Sequence, residues 1–120
     1  MPCRAQPESR LQAAIVAHLK ARAVKGLYWF AIPNGGLRSK AEARVMQSTG
    51  TRPGVPDLAF VYEGRAYFLE VKTEHGRPTE HQLKAIADIN DAGGYAVIGC
   101  GLDRCLQILE RWGLLKGRTQ

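Results

Sequence analysis

Apolar residues at the start of the chain recur at helical spacing. Leu11, Ile15 and Leu19 stand four apart, flanked by Gln12 and Val16, which is the stripe of a helix laid on a core. Pro7-Glu8-Ser9 opens this helix, because Pro suits a first turn and Glu complements the dipole there. The pattern runs to about Lys25, and Gly26 ends it. Leu27 to Ile32 is a short aromatic and apolar run that predicts a buried strand, stopped by Pro33-Asn34-Gly35-Gly36. Residues 37–56 interrupt the pattern and read as an insertion. Within it Ser39 is placed to cap a short helix from Lys40 to about Gln47, and a stiff loop follows from Gly50 to Pro56. Two strands, 57–62 and 65–73, flank Glu63-Gly64, a pair suited to a tight hairpin turn. Pro78 and Thr79 start a helix to about Ala92, and Gly93-Gly94 separates it from a strand over 95–99. A last helix covers roughly Leu102 to Trp112, with a frayed tail from Lys116.

The order helix, strand, insertion, hairpin, helix, strand, helix predicts an α/β sandwich with a small mixed sheet. A chain of 120 residues with 45% hydrophobic content fits one domain, taken as residues 1–120, with one modest core. The longest uncharged apolar stretch, Gly26 to Leu37, is broken by Pro33, Asn34 and glycines, far short of a membrane span. Pro2, Arg4, Pro7 and Glu8 occupy the place of a signal peptide's apolar segment, so a cytoplasmic protein is expected. Cys3, Cys100 and Cys105 are too few for a disulfide framework, and none pairs with a His at zinc spacing, so they read as packed or idle thiols.

Charge sharpens the picture. The net charge is +6, yet residues 1–52 carry nine Lys/Arg against two acids, giving +7, and the remainder carries eight against nine, giving −1. A basic half favours a polyanionic partner, because neutralising phosphates releases counterions.

The hairpin concentrates the chemistry. If Glu63-Gly64 is a two-residue turn, Tyr62 faces Arg65, Leu58 faces Leu69, and Asp57 faces Glu70. Directly opposed residues have Cβ atoms about 4.5–5.5 Å apart, close enough for both carboxylates to share one metal ion. Glu70 and Lys72, two apart, project from the same strand face. These residues sit beside the apolar run Ala66-Tyr67-Phe68-Leu69, where an acid is costly unless it is paired. Glu8, one turn before Leu11, either faces the sheet or serves only the helix dipole. For Gln82, Thr79-Glu80-His81-Gln82 matches a capping box, which is sufficient to account for it.

Gly54-Val55-Pro56-Asp57-Leu58, then Glu70-Val71-Lys72, then Gln82, resembles the PD-(D/E)XK nuclease signature. More narrowly, the set is similar to the VRR-NUC family, whose small stand-alone members occur in phages and bacteria; the helix bearing Glu8 and the Asn34-Gly35-Gly36 turn belong to the same likeness. The resemblance implies a restriction-endonuclease-like core and a DNA endonuclease dependent on magnesium or manganese. It implies that Asp57, Glu70 and the Val71 backbone carbonyl ligate the metal. Lys72 would position or deprotonate the attacking water, Glu8 would orient Lys72 or reach the metal through a water, and Gln82 would organise the site in addition to capping. It further implies a homodimer acting on branched DNA such as four-way junctions.

Arg38, Lys40, Arg44 and Arg52 crowd the insertion before Asp57 and, with Asn34 of the preceding turn, are candidates for DNA contact; a solvated basic loop is the other explanation. Lys40 and Arg44, four apart, share a helix face. No serine or cysteine triad is evident, and no Gly-rich phosphate loop precedes a helix, so no nucleotide cofactor is expected. A DNA-junction binding module without turnover, or a nuclease subunit of a larger restriction or repair complex, remains the alternative.

Overall fold

The computed structural model of the protein describes residues 7–33 and 39–117. Cys3, Asn34, Arg38 and the end of the tail, 118–120, lie outside the described residues. Eight elements follow in chain order. They are α1 (Pro7–Arg22), β1 (Tyr28–Ala31), α2 (Lys40–Ser48), β2 (Leu58–Tyr62), β3 (Arg65–Lys72), α3 (Glu80–Asp91), β4 (Tyr95–Cys100) and α4 (Leu102–Arg111). Their order matches the sequence expectation, with ends moved by a few residues.

The strands form one sheet in the order β1-β2-β3-β4. β1 and β3 run antiparallel to β2, and β4 runs parallel to β3 after the crossover through α3. Glu63 and Gly64 have φ values of 49° and 79°, the left-handed pair that a two-residue hairpin turn requires. The register is the expected one, from Leu58 opposite Leu69 to Tyr62 opposite Arg65.

Strand alternation gives the sheet two unlike faces. One presents Leu58, Phe60, Tyr67, Leu69 and Val71 to Ile15 and Leu19 of α1 and to Cys105, Leu106 and Leu109 of α4, forming the core. Within it Trp112 packs against Phe60 and Tyr67. The other face carries α3 over β3 and β4, with Asn90 donating to and accepting from the Ala96 backbone.

Three expectations need correction. β1 is not buried: it is an edge strand, and Tyr28 and Phe30 are 68% and 44% exposed. Trp29 and Ala31 share the core-side face, where Trp29 packs on the core, whereas Tyr28 and Phe30 point to the other face. An apolar run reports composition, not which sides of the strand are covered. The first helix ends at Arg22 instead of near Lys25, because Ala23 turns into a β-bridge with Leu115. That bridge also anchors the predicted frayed tail at its start, where the Lys116 N–H donates to the Arg22 carbonyl. The thiols conform: Cys100 and Cys105 are free, and burial pushes the Cys105 pKa up to about 12.

Candidate active site

β3 delivers Glu70 and Lys72 from its outer face at the end of the strand. Both are buried, with only 2% and 6% of their surface exposed, an unusual state for charged side chains. Asp57 stands one residue before β2, and its carbonyl accepts from the Ile32 N–H at 2.8 Å. Its carboxylate departs from simple cross-strand facing: Oδ2 accepts a 2.7 Å bond from the Val71 N–H. That bond anchors Asp57 next to Glu70 just beyond the strand pairing. Pro56, fully buried, precedes it.

Two elements complete the surround. The N-terminal turn of α1 brings Glu8 Oε2 to 3.8 Å from Lys72 Nζ, which also lies 3.7 Å from Glu70 Oε2. Glu8 keeps a side chain 45% exposed, so it faces Lys72 and solvent together, and both sequence readings of it hold in part. At the start of α3, Gln82 divides its amide. The Oε1 accepts from the Thr79 N–H at 2.9 Å, closing the capping box, while Nε2 donates to Glu70 Oε2 at 2.9 Å. Capping and organising the site are two ends of one side chain.

The electrostatics follow from crowding. Burial, then the neighbouring Asp57 charge, push the Glu70 pKa up to about 8, against the pull of Lys72. Burial raises Asp57 as well, opposed by the Val71 N–H. Glu70 Oε1 is buried without a hydrogen-bond partner. A buried, unpaired carboxylate oxygen is costly, and an oxygen-preferring divalent cation beside Asp57 would satisfy it. The residues present therefore fit such an ion. Among the described residues, no three His, Cys, Asp or Glu side chains converge on a metal-sized point; a protein donor set here consists of two carboxylates supplemented by backbone or solvent oxygens.

A cleft of about 600 Å³ opens over Asp57 and Glu70, walled by Met46 of α2, by Arg52 and Val55 of the loop, and by His81 of α3. A second hollow, about 520 Å³, reaches Asp57 and Glu8 from the side of Ile32 and Thr73. Of the basic candidates, Arg52 lines the cleft, whereas Lys40 and Arg44 are exposed on α2 outside its wall. Asn34 and Arg38 fall outside the described residues.

Sequence reasoning missed Gly54. Its φ is +77°, and a Cβ there would sit 2.4 Å from the His81 backbone carbon and oxygen and 2.7 Å from the Gln82 nitrogen. The loop carrying Asp57 thus lies directly on the first turn of α3, and only glycine permits that approach. The signal was the glycine of Gly-x-Pro-Asp, which names a residue but not what it touches.

The sheet order and the flanking helices make a small α/β fold of the PD-(D/E)XK-like kind. Within that class the fold is the one seen in VRR_NUC structures. A solved "VRR_NUC domain protein" is 21% identical, with 92% of this chain and 90% of that chain covered at a TM-score of 0.77. A second, "VRR_NUC domain", is 23% identical, with 90% and 99% covered and a TM-score of 0.61. No family model matches the chain, and no curated protein matches it.

Proposed function

We propose that the protein is a metal-dependent DNA endonuclease of the VRR-NUC type. The observation that carries this reading is the buried Glu70 carboxylate, with one oxygen unpartnered, beside Asp57 at the floor of an open cleft and 3.7 Å from Lys72 Nζ. The likeness to VRR_NUC structures supports it.

Magnesium or manganese would be held by Asp57, Glu70 and the Val71 carbonyl, with Glu8 reaching it through a water. Such an ion stabilises charge developing on an attacked phosphate and lowers the pKa of bound water. The chain's own groups do the rest. Lys72, held between Glu8 and Glu70, places a positive charge beside Glu70, where it orients a water and offsets charge on the phosphate. Gln82 holds Glu70 in one rotamer, and the Val71 N–H holds Asp57. Arg52 at the cleft rim, with Lys40 and Arg44 further out, grips the DNA backbone. Asn34 and Arg38, in the same stretch of sequence, are proposed to join them. Branched DNA is the proposed substrate and a homodimer the proposed working form, in the cytoplasm; a monomer at micromolar concentration in sedimentation would count against the dimer.

The test compares cleavage of labelled four-way, flap and linear duplex DNA with magnesium, manganese or EDTA. Cleavage is expected with either metal, none with EDTA, and a loss of about a hundredfold or more in Lys72→Ala with DNA binding retained. Binding without cutting under every metal would overturn the enzymatic reading in favour of a DNA-binding module.

A further inference from the structure

Beyond the cleft, the loop over 52–55 and the outer side of α3 enclose a smaller pocket of about 250 Å³. Its floor is apolar: Pro53, Val55, Ala85 and Ile89. Its polar lining is Arg52, His81 and the ion pair of Lys84 with Asp88 at 3.0 Å. Arg52, Pro53, Val55 and His81 line both this pocket and the catalytic cleft, so the two hollows share a wall. That wall is stiff, because Gly54 is seated on the backbone of His81 and Gln82.

We propose that this pocket receives an unpaired nucleobase of the DNA strand being cut, a few nucleotides at most from the scissile phosphate. The inference rests on the nuclease reading and names the feature of the substrate it would recognise. Three observations favour a base over other occupants. A volume of about 250 Å³ has room for a flat heteroaromatic ring. The apolar residues suit a ring face, while Arg52 suits a phosphate beside it. Continuity with the cleft places a base here when its own strand passes Asp57 and Glu70. A stacked, paired base cannot enter without extrusion, which is least costly where the duplex is already interrupted. The pocket therefore selects DNA with unpaired nucleotides beside the cut, as at a flap or a branch point.

The test uses the full chain and flap DNA carrying 2-aminopurine at each unpaired position in turn, with calcium to bind without turnover, and a matched series with an abasic residue at each position. Wild-type protein is expected to raise the fluorescence at one position, and Ala85→Leu, which fills the floor, to remove that rise. In cleavage, an abasic residue at the same position should raise KM roughly tenfold for the wild type, and Ala85→Leu should shrink that preference toward unity. Thermal melting of Ala85→Leu confirms that it folds; Ala85→Ser, which leaves the space open, should keep the fluorescence rise. No rise at any position, or a rise unaffected by Ala85→Leu, overturns the proposal. So does a shift of Ala85→Leu from dimer to monomer in sedimentation together with unchanged fluorescence, which would assign the pocket to a second copy of the chain. Absence of cleavage with any metal would refute the nuclease reading instead, while the fluorescence still decides whether a base enters.

Discussion

Glu70 illustrates how a single residue is tuned by its surroundings. With a pKa near 8 in the fold against an ordinary value of 4.5, it holds a proton at neutral pH when no cation is bound. Its contribution to stability is fully present below about 4.5 and is lost as pH rises through about 8, since the unfolded chain ionises first. Metal-free protein should therefore melt at a lower temperature at pH 9 than at pH 6. Glu70→Gln, which is never charged, should melt above wild type at pH 9, and magnesium should raise the melting temperature of wild type only. An unaltered gap between the two proteins across this range would show that burial does not control the group. A divalent ion must also displace that proton, so its affinity should climb about tenfold per pH unit up to about pH 8 and level off above it; titration calorimetry at several pH values reads this directly. That Glu70 would need partners was legible in the sequence, because an acid two residues from a lysine within an apolar run is costly alone. The absence of any partner on Oε1 was not legible, because it depends on how closely α3 and the loop seal the site.

At the scale of elements, the hairpin was the most readable part. Alternating apolar residues about Glu63-Gly64 allow one register, and a slip by one residue would turn every core side chain outward. β1 was harder, since burial is decided by what lies over a strand, and the outer side of this edge strand leaves Tyr28 and Phe30 exposed. The meeting of loop and helix at Gly54 could not be read at all: it joins residues 27 and 28 positions apart through backbone contact. Gly54→Ala should place a methyl group against the His81 carbonyl and force a positive φ on a residue that resists it. The expected cost is about 2 kcal/mol or more in thermal or urea unfolding, with metal affinity weakened as Gln82 is pushed off Glu70. A variant with wild-type stability and metal affinity would show that the loop yields without disturbing α3.

On the scale of the whole molecule, charge and architecture are separated. Positive charge gathers in residues 1–52, while Asp57, Glu70 and Lys72 come from the rest, so the proposed attraction of DNA and its proposed cleavage belong largely to different stretches of chain. Lys40 and Arg44 stand outside the cleft wall, and their contribution should be to affinity and not to turnover. Arg44→Glu is expected to weaken DNA binding and lower the slope of log affinity against log salt by about one or more, with little change in the maximal cleavage rate; fluorescence anisotropy across a salt series measures the slope. An identical slope would remove Arg44 from the interface. No helix among the described residues is long and apolar enough to cross a membrane.

The tight turn at Glu63-Gly64 has a consequence for time as well as shape. Asp57, Glu70 and Lys72 span only sixteen positions, closed on themselves by two residues, whereas Glu8 and Gln82 arrive on helices that must dock later. Hairpins of this size close in roughly 1–10 μs, well ahead of the packing of distant elements. The two carboxylates are thus brought together early, while water still reaches them and before α1 and α3 bury them. Burial at the last stage of folding then forces Glu70 to take up a proton. A cation present from the outset would act on that final step, and refolding in magnesium should be faster than in EDTA by a factor that vanishes in Glu70→Gln.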